Sequence, residues 1–261
     1  MSGASRHRIL VTNDDGIHAR GLGVLEAIAR TISDDVWVVA PEFEQSGASH
    51  GLTLSQPLRI RKVDDRRYAV QGTPTDCVML AVHNIIQDRK PTLVLSGVNR
   101  GANLAEDVTY SGTIAGAMEG VLCAIPSIAF SQSLRVRDED ENWRVAETFG
   151  PSVLERLLET GWDRGVLINV NFPHCAVEDV KGIEVTRQGF RDGSDLIVDE
   201  RVDARGVPYY WFGLRRAFGD PPEDTDLWAV RDGLISVTPL HLDLTHVAMK
   251  KRLEGPISTR F

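Results

Sequence analysis

Short runs of apolar residues recur along the chain, separated by polar or glycine-containing stretches. These runs predict buried strands at 9–11, 36–40, 92–95, 125–130, 166–172 and 234–238. Between them, apolar residues spaced three or four apart predict helices at 21–32, 77–86, 114–122 and 143–158, the last interrupted at Pro151. Strand, helix and strand in succession are typical of a βαβ unit with a right-handed crossover. The pattern therefore predicts an α/β fold with a mostly parallel sheet.

The pattern changes from residue 181 onward. Residues 183–186, 196–202 and 209–212 alternate as edge or hairpin strands do, and 203–206 joins the last two. An aromatic-rich ribbon is marginal by itself in water, so a partner subunit is expected to cover it. We therefore divide the chain into an α/β core at 1–180 and a C-terminal extension at 181–261 that packs on the core and on a partner.

The first predicted strand ends in Asp14, Asp15 and Gly16. Ligands of open α/β sheets bind beyond the carboxyl ends of the strands, and two carboxylates there usually need a cation. The alternative is a helix N-cap Asp beside an Asp-Gly turn. Adjacent strand residues point to opposite faces, so both carboxylates reach one ion only if the backbone leaves strand geometry, which Gly16 eases.

Two further polar loops follow predicted strands. Ser46-Gly47 lies in the loop 42–55, and Asn99 begins the glycine-containing loop that leads to Ser111-Gly112-Thr113. Ser-Gly-Thr at a helix start suits an anion, although an ordinary Ser/Thr cap and a solvated loop explain these residues equally well in isolation. Their convergence on one sheet edge favours a site. Residues 72–76 are interpreted as mainly structural, forming one wall of that pocket.

Composition narrows the function. The net charge is −8, with 29 Lys and Arg against 37 Asp and Glu, which argues against a binder of nucleic-acid polymers. No G-x-G-x-x-G pattern occurs, so a nicotinamide enzyme is disfavoured. Three scattered cysteines indicate neither a disulfide framework nor a thiolate zinc site. With no signal-peptide core and no apolar run long enough for a membrane span, we expect a soluble cytoplasmic protein.

Six sequence blocks, taken in order over nearly the whole chain, resemble the survival protein E (SurE) family of metal-dependent nucleotidases. The blocks are 12–17, 45–49, 72–77, 96–103, 110–120 and 236–240. The common pattern of the family is not followed at Arg20, Ala105 and His50-Gly51. These departures affect the expected loop shape and substrate preference, and not the expected metal ligands.

The resemblance implies a Rossmann-like three-layer α/β sandwich whose C-terminal hairpin and tail serve homodimer or homotetramer formation. It implies hydrolysis of nucleoside 5′-monophosphates, extending to 3′-nucleotides and short polyphosphate. By position, the metal ligands fall on Asp14, Asp15, Ser46 and Asn99. The phosphate-binding groups fall on Asn103, Ser111, Gly112 and Thr113.

Carboxylate, hydroxyl and amide oxygens are hard donors, so these ligands favour Mg²⁺ or Mn²⁺, with Ca²⁺ as the alternative. We expect one ion per subunit. Metal-assisted phosphomonoester hydrolysis follows, with Asp14 and Asp15 as catalytic residues and Asp14 as the candidate proton acceptor. His241 is a candidate general acid, with a structural histidine as the alternative. Competing hypotheses are an aspartyl-phosphate enzyme, disfavoured because the two acids are adjacent, a non-catalytic nucleotide sensor, and a scaffold.

Overall fold

A computed structural model describes residues 7–134, 143–191, 195–215 and 220–258. In these ranges the strands are β1 (Ile9–Thr12), β2 (Val36–Pro41), β3 (Ile60–Asp64), β4 (Arg67–Val70), β5 (Leu93–Arg100), β6 (Ser127–Gln132), β7 (Val166–Phe172), β8 (Gly182–Val185), β9 (Asp195–Val202), β10 (Pro208–Arg215) and β11 (Leu234–His241). The α-helices are α1 (Arg20–Arg30), α2 (Pro74–Leu80), α3 (Gly112–Leu122), α4 (Arg144–Thr160), α5 (Asp226–Arg231) and α6 (Val247–Ile257). Short 3₁₀ turns form at Ala105–Thr109 and Val177–Asp179, and a π-helical turn at Ala81–Ile85 extends α2.

The main sheet has the order β3-β4-β2-β1-β5-β6-β7-β11-β8. Parallel pairs run without interruption from β4 through β7, with Ile9 of β1 aligned to Val36 on one side and Leu93 on the other. Alternate residues of each strand face opposite layers, because successive side chains leave a pleated strand on opposite sides. The expected mostly parallel sheet is confirmed.

Helices cover both faces of this sheet. Val11 belongs to the apolar cluster that contains Leu25 of α1 and Leu154 of α4, whereas Leu10 belongs to the cluster with Val78 of α2. A third cluster joins Ile114 of α3 to β6, β7 and β11. The three-layer sandwich implied by the family resemblance is therefore present, and the crossover helices bring each βα loop to the carboxyl edge of the parallel strands.

The sheet continues past residue 180. β11 lies antiparallel to β7, with Ser236 opposite Asn171, and β8 pairs with β11 at the edge. The segment from 181 onward therefore supplies two strands of the sheet as well as the hairpin. The predicted hairpin is confirmed: β9 and β10 pair antiparallel as a separate two-stranded sheet.

Several elements differ from the sequence expectations. β3 is an exposed, charged edge strand and escaped prediction because it carries no buried face. Helices α5 and α6 form in the C-terminal extension, where the sequence pattern predicted strands alone. Pro151 does not interrupt α4, since burial of the apolar face of that helix outweighs one lost backbone hydrogen bond. The segment between the strand predicted at 125–130 and the helix predicted at 143–158 lies mostly outside the described residues, although Ser131 and Gln132 complete β6.

The helices of the described ranges include none that is long and apolar enough to cross a lipid bilayer.

Candidate functional site

The candidate site begins where β1 ends at Thr12 and the chain turns. Gly16 adopts φ +101°, in the left-handed region that a side chain disfavours, and its carbonyl accepts a hydrogen bond from Asn13 Nδ2 at 3.1 Å. The Ile17 N–H then donates to the Pro41 carbonyl at 2.7 Å, tying the turn to the end of β2. The backbone therefore leaves strand geometry at the two aspartates, which is the condition that sequence reasoning set for both carboxylates to serve one ion.

Asp14 is buried, with 4% of its surface exposed, and lies against the start of α3. Thr113 donates from its hydroxyl to Asp14 Oδ1 at 2.5 Å, and the Thr113 backbone N–H also favours the charged carboxylate. A Cβ built on Gly112 would lie 2.7 Å from Asp14 Cβ, so only glycine allows this close approach. Burial raises the pKa of Asp14 despite these donors, and the negative charge of Glu44 adds to the rise.

Asp15 is half-buried beside Asp14. Burial raises its pKa to about 6, and the charges of Asp14 and Glu44 contribute. The Arg100 backbone N–H donates to Asp15 Oδ2 at 3.1 Å, and the guanidinium of Arg100 opposes the rise only weakly. The pocket thus concentrates negative charge that its own residues leave largely uncompensated, which is the electrostatic condition for binding a cation.

Ser46 and Asn99 lie next to the residues that contact the two aspartates. The Gln45 backbone N–H donates to the Asp14 carbonyl at 2.8 Å, so Ser46 directly follows a contact with the turn. Asn99 directly precedes Arg100, and its Nδ2 donates to the Gly101 carbonyl at 2.8 Å, which leaves the amide oxygen as the atom suited to a ligand role. The structure therefore brings three loops, distant in sequence, to one pocket.

Glu44 is a residue that sequence reasoning missed. Its carboxylate accepts a hydrogen bond from Ser46 Oγ at 2.8 Å, and its charge acts on Asp14 and Asp15. The available signal was a carboxylate two residues before the candidate serine, in a loop already assigned to the site.

Asn103 is held by a buried ladder of amides on β7. Its backbone N–H donates to Asn171 Oδ1 at 2.8 Å, and its carbonyl accepts from Asn169 Nδ2 at 2.9 Å and Asn171 Nδ2 at 3.2 Å. Its own Nδ2 donates to Ser131 Oγ at 2.8 Å. The ladder fixes the loop after β5 to the carboxyl ends of β6 and β7. Asn-x-Asn within an otherwise apolar strand was the signal for this support.

The Ser111-Gly112-Thr113 segment forms the start of α3, as expected. Ser111 is the N-cap, and its hydroxyl oxygen accepts from the Ile114 N–H at 3.1 Å, which leaves the hydroxyl proton to donate elsewhere. Thr113, by contrast, directs its hydroxyl to Asp14. Ser111 therefore caps the helix, Gly112 leaves room for the Asp14 side chain, and Thr113 orients the Asp14 carboxylate.

His241 is not brought to this pocket. β11 runs antiparallel to β7, so its last residue, His241, pairs with Val166 at the beginning of β7. That position is at the opposite edge of the sheet from the carboxyl ends of β1 and β5. The general-acid role predicted for His241 required the chain after the last strand to fold near the site, and the position of His241 within its own subunit does not support that role.

The residues present fit a hard divalent cation. The described chain holds no cluster of three or more His, Cys, Asp or Glu side chains suited to a metal, so hydroxyl and amide oxygens would have to complete a set based on two carboxylates. The side-chain oxygen of Asn13, at the base of the turn, is buried without a hydrogen-bond partner. This unpaired oxygen and the crowded carboxylates both indicate a pocket arranged for positive charge.

Fold and site together define a doubly wound α/β protein with an acidic pocket at the carboxyl ends of its parallel strands, beside a helix N-terminus. Comparison with known proteins agrees: the family model described as "Survival protein SurE" matches residues 9–195. The chain belongs to the SurE family, which confirms the resemblance drawn from its motifs.

Relatives in this family are similar over nearly their whole length. A protein named 5′-nucleotidase SurE from Caulobacter vibrioides (strain NA1000 / CB15N) is 59% identical over 250 residues, covering 95% of each chain. Another of that name from Parvibaculum lavamentivorans is 56% identical over 259 residues, covering 99% of this chain and 94% of the relative. The crystal structure of the SurE protein from Aquifex aeolicus superposes with a TM-score of 0.82 at 41% identity, over 96% of this chain and 99% of that one.

Proposed function

We propose that this protein is a divalent-metal-dependent phosphomonoesterase that hydrolyses nucleoside 5′-monophosphates to nucleoside and phosphate. The placement of Asp14 carries the proposal, because a buried carboxylate beside a second one lies against the N-terminus of α3, where an anion is stabilised. The names of the two relatives support the reaction class. The proposed range extends to 3′-nucleotides and short polyphosphate.

We assign the metal ligands to Asp14, Asp15, Ser46 and Asn99, holding one Mg²⁺ or Mn²⁺ per subunit. Bound there, the ion would polarise a phosphoryl oxygen and lower the pKa of a water molecule. The protein's own contribution is to hold the carboxylates in place before substrate arrives, through Thr113 on Asp14 and the Arg100 backbone on Asp15.

The phosphate-binding groups are assigned to Asn103, Ser111, Gly112 and Thr113. In the first turn of α3 the Thr113 N–H serves Asp14 and the Ile114 N–H serves the Ser111 hydroxyl oxygen, so the phosphate is assigned to the Gly112 N–H, the Ser111 hydroxyl proton and the positive end of the helix dipole. Asn103 is locked by the amide ladder, so it loses little entropy on binding an oxygen. Phosphoryl transfer depends mainly on such positioning and electrostatic stabilisation, so these rigid donors offset the negative charge of the equatorial oxygens.

Proton transfer is assigned to the carboxylate pair. Asp14 accepts the proton of the attacking water, while the Thr113 hydroxyl keeps its carboxylate in one orientation. His241 has no part in this assignment because it lies at the other edge of the sheet.

The C-terminal segment 181–261 is assigned to self-association as a homodimer or homotetramer. Trp211 and Phe212 on β10 are 61% and 73% exposed, and every side chain of α6 is exposed as well. Large exposed apolar surface on a ribbon and a helix favours burial against a second copy. Light scattering coupled to size exclusion tests this: substituting both aromatics with serine should lower the molecular mass of the particle, and an unchanged mass would contradict the assignment.

A reducing, cytoplasmic location is part of the proposal. All three cysteines, Cys77, Cys123 and Cys175, are free thiols, as expected where disulfides do not persist.

The deciding experiment is phosphate release from a panel of 5′- and 3′-nucleoside monophosphates with Mn²⁺, Mg²⁺ or a chelator. Wild type should release phosphate only with metal, and Asp14→Asn should lose that release while retaining the wild-type fold by circular dichroism. Thermal unfolding with and without Mn²⁺ gives an independent readout, since an ion at 100 times its Kd stabilises the folded state by about 2.7 kcal/mol. Release that persists in chelator and in Asp14→Asn would place the reaction at another site.

A further inference from the structure

A cavity of about 410 Å³ opens beside loop 42–55. Its lining residues are Phe43, Gln45, Thr53, Gln56, Val70, Gln71, Gly72 and Thr73. Small-molecule sites typically enclose roughly 300–1,000 Å³, so the cavity is large enough for part of a ligand. None of these residues belongs to the assigned metal or phosphate set, and none carries a charge.

This cavity adjoins the acidic pocket through a shared stretch of backbone. Gln45, which lines the cavity, donates its backbone N–H to the Asp14 carbonyl at 2.8 Å and is followed by Ser46. The backbone of Phe43 packs on Gly16, where an added Cβ would lie 3.4 Å from the Phe43 carbonyl carbon. A ligand with its phosphate beside Asp14 therefore has this cavity as a neighbouring space.

The opposite wall is rigid before any ligand binds. Thr53 Oγ1 donates to Asp76 Oδ2 at 2.6 Å, and Thr73 Oγ1 donates to the Gly51 carbonyl at 2.7 Å. Asp76 also accepts from the Thr73 backbone N–H at 2.9 Å, closing a capping box at the start of α2. Gly72 and Thr73 thus form a wall of this cavity, and bonds to loop 42–55 fix their position.

The lining groups have the chemistry of a nucleobase site. The Phe43 ring is 70% exposed and offers an aromatic face on which a base can stack. In the described part of the chain, no internal hydrogen bond engages the side chains of Gln45 or Gln56, whereas Gln71 Nε2 donates to Glu42 Oε2 at 2.8 Å. A primary amide carries both donors and an acceptor, so it can pair with the edge of a purine or a pyrimidine. The lack of charged lining residues suits a neutral heterocycle better than a second phosphate.

We propose that this cavity binds the base of the nucleotide, with Phe43 stacking on the ring and the glutamine amides contacting its edge. The inference rests on the proposed nucleotidase function and specifies where that substrate's base lies. Because stacking and adaptable amides dominate, the cavity accepts purine and pyrimidine nucleotides, and binding of the base lowers KM relative to a substrate that lacks one.

Steady-state kinetics with adenosine 5′-monophosphate and ribose 5-phosphate test the proposal, since the second substrate has the same phosphate and sugar but no base. Phe43→Leu should raise KM for the nucleotide about tenfold and leave KM for ribose 5-phosphate unchanged. Phe43→Tyr keeps the aromatic ring and should behave as wild type, which separates stacking from a disturbance of the loop. Gln56→Ala should raise KM for the nucleotide alone.

Equal changes for both substrates in Phe43→Leu, or no change in either, would overturn the base site while leaving the nucleotidase function intact. If wild type hydrolyses neither substrate, the proposed function fails, and calorimetric titration with adenosine then decides about the cavity separately. Adenosine binding that weakens in Phe43→Leu and is retained in Phe43→Tyr would support the site. Absence of adenosine binding would overturn it.

Discussion

The hydroxyl of Thr113 donates a 2.5 Å hydrogen bond to Asp14 Oδ1 across 99 positions of sequence. This bond joins the first strand of the sheet to the helix that follows β5. Two effects act on the pKa of Asp14 in opposite directions. Burial raises the pKa of the carboxyl group, whereas the hydrogen bonds from Thr113 lower it. The same contact therefore positions the carboxylate and favours its charged form.

Removing this donor should weaken the site without unfolding the protein. Thr113→Val preserves the shape of the side chain but removes the hydroxyl, which raises the pKa of Asp14 further and frees its carboxylate to rotate. Groups that orient metal ligands are typically worth about 10- to 100-fold in affinity or activity. Titration calorimetry with Mn²⁺ and phosphate release should both show such a loss. Thr113→Ser, which keeps the hydroxyl, should retain most of both, and a loss equal to that of valine would contradict the role of the bond.

Gly112 should tolerate no side chain. The Cβ of Gly112→Ala would lie 2.7 Å from Asp14 Cβ and 2.9 Å from Asp14 Oδ2, so the carboxylate must move. We expect a loss of about 1–3 kcal/mol in the free energy of unfolding, the usual cost of overpacking, together with at least a tenfold loss of activity.

Gly23→Ala is the matched control, since Gly23 lies in α1 with no atom within 4 Å of the added Cβ. It should stabilise the protein by about 0.5–1 kcal/mol in urea unfolding, because alanine is the better helix former. If both alanine variants shift stability in the same direction, the crowding at Asp14 is not the cause.

The loop that carries Ser46 is fastened to α3 through His50. His50 Nε2 lies 3.0 Å from Glu119 Oε2, and nearby Ser49 Oγ donates to the Thr109 carbonyl at 2.8 Å. His50→Ala removes the contact with a nearly buried carboxylate, so the loop should open more often. Hydrogen exchange of residues 44–53 should accelerate about 5- to 30-fold, matching roughly 1–2 kcal/mol of lost local stability.

His50→Gln is the control, because its amide can still donate to Glu119. It should exchange at close to the wild-type rate. Unchanged exchange in the alanine variant would mean that the remaining contacts hold the loop by themselves.

Stability in acid should depend on Asp88. Its hydrogen bonds with the buried Arg8 guanidinium hold the pKa of Asp88 at about 2, and the pKa of Asp35 is lowered as well. A carboxyl whose folded pKa is depressed stabilises the protein above its unfolded pKa, about 3.9 for Asp, and that stability is lost as the pH falls through the folded value. Urea midpoints of wild type should therefore fall between about pH 4 and pH 2.

Asp88→Asn cannot titrate at this position. Its urea midpoint should be lower than that of wild type near neutral pH and should approach the wild-type value at about pH 2. If the urea midpoints of wild type and Asp88→Asn differ by the same amount at every pH in this range, Asp88 does not contribute to the loss of stability in acid.

The apolar and polar pattern by itself predicted the α/β class, the parallel strands β1, β2, β5, β6 and β7, and the loops that carry Asp14, Ser46, Asn99 and Thr113. These features are local: a buried strand needs a run of apolar residues, and a loop after it needs polar and glycine residues. The motif blocks added the family, because six of them occur in order along the chain.

Tertiary structure decided what the pattern could not express. The direction of β11 depends on its pairing with β7, and that pairing places His241 at the edge of the sheet opposite the carboxyl ends of β1 and β5. Helix α4 continues through Pro151 because its apolar face is buried. Asn103 is held in place by amides of β7, a strand far along the chain. Local sequence sets which residues form strands, helices and turns, whereas contacts between distant side chains arise only when the packed sheet and helices bring them within hydrogen-bonding distance.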